Sequence, residues 1–98
     1  MKRNGKTQEA ESVYNAALDI DPESFFPNYN MGVLKAHMKE YQAAFEYFTR
    51  SLEISRIQNE QVYELNVLVN LSMISERLEN YPSALKFNQE ALRFDPEN

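Results

Sequence analysis

Self-similarity at a fixed spacing constrains this chain more than any other feature. The segment DPES at 21–24 returns as DPEN at 95–98, 74 residues later. A middle copy lies between them without the proline. Ala10, Ala44 and Ala84 stand 34 and 40 residues apart, and the pairs Ala17-Leu18, Ser51-Leu52 and Ala91-Leu92 keep the same two spacings. So do Ile20, Ile54 and Phe94. A chain that repeats at this period builds one supersecondary unit several times, and each unit buries its apolar face against the next.

The units are helical. With two Gly and four Pro, abundant Leu, Ala, Glu, Gln and Lys, and no sustained apolar/polar alternation, the composition favours helix over strand. Each copy sets a small residue, a larger one four positions on, and a third three positions further: Ala10, Tyr14, Ala17; Ala44, Phe48, Ser51; Ala84, Asn88, Ala91. These positions share one helix face, where small side chains admit a neighbouring helix and the larger one fills the space beside it. Helices are predicted near 6–20, 24–38, 41–56, 60–79 and 81–94. Ser24 and Asn80 stand where N-caps belong, with Pro27 and Pro82 in the first turns that follow. Pro22 and Pro96 follow helix ends.

The 34-residue spacing and the run Ala44-x3-Phe48 resemble the tetratricopeptide repeat. In the helix before them, Met31 and Gly32 match the family's W-x2-L-G-x2-Y pattern, whereas Asn28 and Lys35 place polar groups where the family packs aromatics. Leu68, Leu71 and Ser72 occupy the equivalent places in the last copy. The resemblance covers essentially the whole chain. It implies an all-α antiparallel helix-turn-helix array, an α-solenoid of about five helices. Residues 1–22 would hold the second helix of a partial repeat, 25–58 one repeat and 59–98 an extended one. This reads as two and a half repeats of a longer array, or as a short chain whose open ends pair with something.

The last interval exceeds the first by six residues, inserted between Leu52 and Leu68. Shared between two helices, they add nearly one turn to each, at ~1.5 Å per residue. Some repeats of this length occur in polarity adaptors and kinesin light chains. The segment Gln58-Asn59-Glu60 holds only one good turn residue, Asn59. A helical hairpin is expected there. The alternative is one continuous helix from about 41 to 79, whose separated halves a domain-swapped homodimer would restore.

Composition narrows the function. Ten Lys+Arg against 15 Asp+Glu give a net charge of −5 and a pI near 4.8, which disfavours a phosphate-backbone ligand. The absence of Cys excludes disulfides, thiolate metal sites and cysteine nucleophiles. His37, the only histidine, leaves no two-histidine metal motif. Asp19, Asp21 and Glu23 alternate as calcium ligands do, but Pro22 interrupts them and the sixth and twelfth places are Ser24 and Asn30. Ser51, Ser55, Ser72 and Ser75 lack a nucleophile-elbow context. Asn70-Leu71-Ser72 fits a glycosylation triplet but falls mid-helix. No apolar run approaches membrane-spanning length, and no apolar segment follows the basic N-terminus. The expectation is a cytoplasmic, intracellular protein that is not an enzyme and has no cofactor, no metal, no nucleic acid and no membrane partner.

The resemblance implies a protein–protein interaction scaffold whose first helices line a concave groove for a peptide or helix. The stripe expected there is Phe26, Tyr29, Asn30, Val33 and His37, continued by Asn66, Val69, Asn70, Met73 and Arg77. Met31, Gly32 and Leu34 are assigned to the core. The family's carboxylate clamp would bind Hsp70 or Hsp90 C-terminal tails. Asn30 matches one clamp residue, but Asn66 and Asn70 replace the Lys and Arg of the last repeat, which argues against those tails. Two other roles share the resemblance: an accessory segment of a larger enzyme or regulator, and a self-associating structural piece.

Overall fold

A computed structural model describes residues 5–94. The helices are α1 (Gly5–Ile20), α2 (Phe25–His37), α3 (Tyr41–Ile57), α4 (Gln61–Arg77) and α5 (Tyr81–Leu92). The described residues contain no strand and no helix long and apolar enough to cross a membrane. Each helix packs on the next in chain order, and the thin dimension of 19 Å is two helix layers deep. This is the predicted helix-turn-helix array. The DPEN segment and Pro96 lie outside the described residues, as do residues 1–4.

The three inner turns share one geometry. Lys39, Asn59 and Glu79 adopt φ of 62°, 56° and 60°. The residue after each donates its N–H back to a helical carbonyl: Glu40 to Lys35 at 2.9 Å, Glu60 to Ser55 at 2.9 Å and Asn80 to Ser75 at 2.8 Å. These are the long-range bonds of a Schellman motif, which satisfy carbonyls orphaned at the helix end. Asparagine tolerates the left-handed region, whereas lysine and glutamate occupy it under strain. The chain therefore turns at 58–60, and no continuous helix runs through 41–79. The six extra residues appear as length: α3 and α4 have 17 residues each against 13 in α2.

The α1–α2 turn is built differently. Asp21 accepts the Glu23 N–H on its carboxylate at 3.2 Å and the Ser24 N–H on its carbonyl at 3.2 Å. Ser24 holds the N-cap position of α2, but its side chain makes no capping bond. Asn28 secures the turn instead, donating from Nδ2 to the carbonyls of Pro22 at 3.0 Å and Ser24 at 2.8 Å. This polar departure from the family pattern is fully buried with a structural task. Asn80 caps α5 as predicted, accepting from the Ser83 N–H, with Pro82 in the first turn.

Phe48 forms the centre of the core, fully buried with Ala44 and Ser51 beside it on α3. Val67, Leu68, Leu71 and Ile74 of α4 pack the other side, with Phe25, Leu52 and Ile54. Gly32 faces the Phe48 ring so closely that a Cβ there would lie 2.7 Å from Cε1. Met31 is buried as expected, but Leu34 is only half-buried, because it leaves the seam that Gly32 and Met31 share. In the outer copies the same register is looser. Ala10, Tyr14 and Ala17 are half-buried, and Asn88 is exposed. The second departure from the pattern, Lys35, is paired with Glu11 of α1 at 2.7 Å and lies 3.9 Å from Glu40.

Candidate binding groove

Helices α2 and α4 run in the same direction with a valley between them. At their N-terminal ends the Phe26 and Tyr63 rings meet edge to face at 5.2 Å, and Phe25 stacks on Tyr63 at 4.8 Å. Midway, Asn70 donates from Nδ2 to the Tyr29 hydroxyl at 3.0 Å, and to the Asn66 carbonyl at 2.9 Å. Towards their C-terminal ends Val33, Ala36, His37, Tyr41, Asn70, Met73, Ile74 and Arg77 enclose a cavity of about 320 Å³.

Five of the ten residues expected on the groove thus line one cavity: Val33, His37, Asn70, Met73 and Arg77. Phe26 and Val69 are exposed but do not line it, and Asn66 is exposed along the same face. Asn30 is half-buried and lies outside the cavity. Tyr29 is committed to the scaffold as well. Its ring stacks on Phe25 at 5.5 Å and meets the edge of Phe48 at 5.7 Å. Residues that sequence reasoning missed are Ala36, Tyr41, Ile74 and, at the aromatic end, Tyr63. Tyr41 comes from the first residue of α3, so only the tightness of the 38–40 turn brings it under the groove. Tyr63 was detectable as the position two turns before Asn70 on the same helix.

A second, larger cavity of about 440 Å³ opens between the α1–α2 turn and α3, lined by Pro22, Glu23, Arg50, Glu53, Ile54, Ile57 and Gln58. It holds charges of both signs, and its Arg50 also reaches the side-chain oxygen of Asn28 at 3.5 Å. Arg56 joins three helices elsewhere, bonding Glu64 at 2.9 Å and Glu90 at 3.3 Å. Its hydrogen bond to Glu64, outweighing partial desolvation and aided by both carboxylate charges, raises the Arg56 pKa further above its ordinary value.

None of the four serines considered as nucleophiles lines the His37 cavity. Ser51, Ser55 and Ser72 donate to the carbonyls of Tyr47, Leu52 and Ala84, and all four are buried. The Ser51 and Ser55 bonds run back to their own helix, which is how serine is accommodated inside one, whereas Ser72 of α4 reaches across to α5. Among the described residues no cluster of His, Asp and Glu is arranged to hold a metal ion.

Known proteins resemble this chain along nearly all of it. One tetratricopeptide repeat model matches residues 25–97, and a second tetratricopeptide repeat model matches residues 2–24. The human protein named cell division cycle protein 16 homolog is 33% identical over 92 residues, 91% of this chain and 15% of that protein. The mouse protein of the same name matches to the same extent. The chain therefore spans only about 15% of the length of these curated relatives. With a family model over most of its length and the alternating helices that model implies, the chain belongs to the tetratricopeptide repeat family.

Proposed function

We propose that the α2–α4 valley receives a peptide or helix of a protein partner. Tetratricopeptide repeats are protein-binding scaffolds rather than catalysts, and the finer assignment is to this one face. The observation that carries it is the mixed lining of the cavity: Val33, Ala36, Met73 and Ile74 supply apolar surface, while His37, Asn70 and Arg77 supply donors at its rim. Met73 adapts to varied apolar groups, and arginine is favoured at binding hot spots. The match to about 15% of the length of the cell division cycle protein 16 homologs supports a role for this chain as one segment of a longer protein.

Affinity capture from a cell lysate tests the reading, with the parent run beside a Met73→Ser/Arg77→Gln variant. Both positions are exposed, so the variant keeps its fold. Tyr29 is left intact because its ring also packs on Phe25 and Phe48. Recovery of a partner by the parent and not by the folded variant supports the groove; equal recovery refutes it. A second reading, self-association, rests on Tyr81, Leu85 and Leu92 exposed on α5 and Val13 and Ile20 on α1. A mass that rises with concentration and falls on Leu85→Ser supports that reading.

A further inference from the structure

We infer that the valley is polarised: it selects an extended segment that carries an apolar anchor and, about five residues away, an acidic side chain. This inference rests on the groove reading above. Two features of the valley carry it.

The first feature is the separation of chemistry along two parallel helices. The N-terminal end presents aromatic surface, with Phe26 54% exposed beside Tyr63. The C-terminal end presents His37 and Arg77, each in the last turn of its helix, and no carboxylate lines the cavity they border. The nearby Glu40 lies within 3.9 Å of Lys35, which is turned towards α1 rather than into the cavity. In a chain of net charge −5, the one formal charge among the residues lining this end is the positive one of Arg77. An acidic ligand gains little from the protein's long-range field and must be recognised at short range, by charge-assisted hydrogen bonds from Arg77 and His37.

The second feature is length. Phe26 and His37 are 11 positions apart on α2, which is roughly 16 Å along the axis at ~1.5 Å per residue. An extended peptide covers that distance in about five residues at ~3.3 Å each. The bond between Asn70 and Tyr29 ties the helices together between the two ends, so their spacing is held. Amide and hydroxyl groups at mid-valley suit the backbone of an extended segment, whereas its ends are chemically distinct.

Selection from random dodecapeptides displayed with both ends fused, so that no terminal carboxylate is free, tests this on the full chain. Groove-dependent peptides are those that lose binding on Met73→Ser, and they are then synthesised with blocked termini. The expected result is an apolar or aromatic residue and an Asp or Glu about five positions apart. Changing that acid to its amide should weaken binding roughly tenfold or more on the parent and hardly at all on Arg77→Gln. Groove-dependent peptides indifferent to the acid overturn the polarised valley and leave the groove reading standing. Failure to select any peptide sensitive to Met73→Ser overturns both.

Discussion

Adding a single methyl group at Gly32 should unfold this protein more easily, although it places the best helix former in the middle of a helix. Alanine in place of glycine in a helix interior is worth about 0.8–1.0 kcal/mol by propensity alone. Against that gain, the new Cβ would sit 2.7, 2.8 and 3.0 Å from Cε1, Cδ1 and Cζ of Phe48. The Phe48 ring is fully buried between α2 and α4 and cannot swing into solvent. Relieving the overlap means moving the ring or parting α2 from α3, and overpacking of this kind costs about 1–3 kcal/mol. From the middle of that range upwards the steric cost exceeds the propensity gain, leaving Gly32→Ala destabilised by about 1–2 kcal/mol. For a domain of this size that lowers Tm by roughly 5–15 °C in a thermal melt followed by circular dichroism. A double-mutant cycle isolates the cause. Phe48→Leu alone should cost about 1–2 kcal/mol through lost volume. Combined with Gly32→Ala, the loss should fall short of additivity by about 1 kcal/mol or more. A Gly32→Ala protein that melts higher than the parent, or a strictly additive pair, would refute the close contact as the reason for glycine.

Asn28→Ala removes both donors that hold the α1–α2 turn, leaving the Pro22 and Ser24 carbonyls without them. It should cost about 1–3 kcal/mol in urea unfolding and accelerate amide exchange at 22–26. Glu79→Gly relieves a left-handed residue and should gain roughly 0.5–1 kcal/mol in the same measurement, after the extra freedom of the unfolded chain is subtracted. Ser75→Ala should be neutral or stabilising by up to about 1 kcal/mol, because its buried hydroxyl finds no hydrogen-bond partner to lose. Arg56→Gln should cost no more than about 1 kcal/mol. The effect should fade at high salt, because its pairs with Glu64 and Glu90 are solvent-exposed on the arginine side.

The architecture was legible because its markers are spaced residues rather than single motifs. Ala44, Phe48 and Ser51 share a face whether or not any neighbour is known, and all three are fully buried. Asn88, at the same register as Phe48, is exposed because burial depends on a helix lying opposite, which spacing within one copy does not report. The turns were harder to read. Lys39 and Glu79 carry no preference for positive φ, and a backbone bond made by the next residue holds them there. Half of the expected groove stripe reached the cavity because helical periodicity fixes which residues share a face. Periodicity does not say how deep the valley lies at each turn of helix. Phe26 and Val69 therefore share the face without lining the cavity, while Tyr41 enters it from a different helix. Asn28 and Lys35 looked like defects in a family pattern. Asn28 instead holds the turn just before its own helix, through the Pro22 and Ser24 carbonyls, and Lys35 pairs with Glu11 of another helix.

The contrast between α1 and its neighbours has a consequence for how the array comes apart. Helix α1 contributes no buried residue, whereas α3 and α4 contribute six each. An ion pair, Glu11 to Lys35, anchors it to α2. In a stack where each helix is stabilised chiefly by its nearest neighbours, local opening starts where least apolar area must be exposed. Within residues 5–94, α1 therefore exposes the least apolar area on opening, with α5, which buries only Ala84, next. Both walls of the groove lie on α2 and α4, so the binding face can persist through openings that release α1.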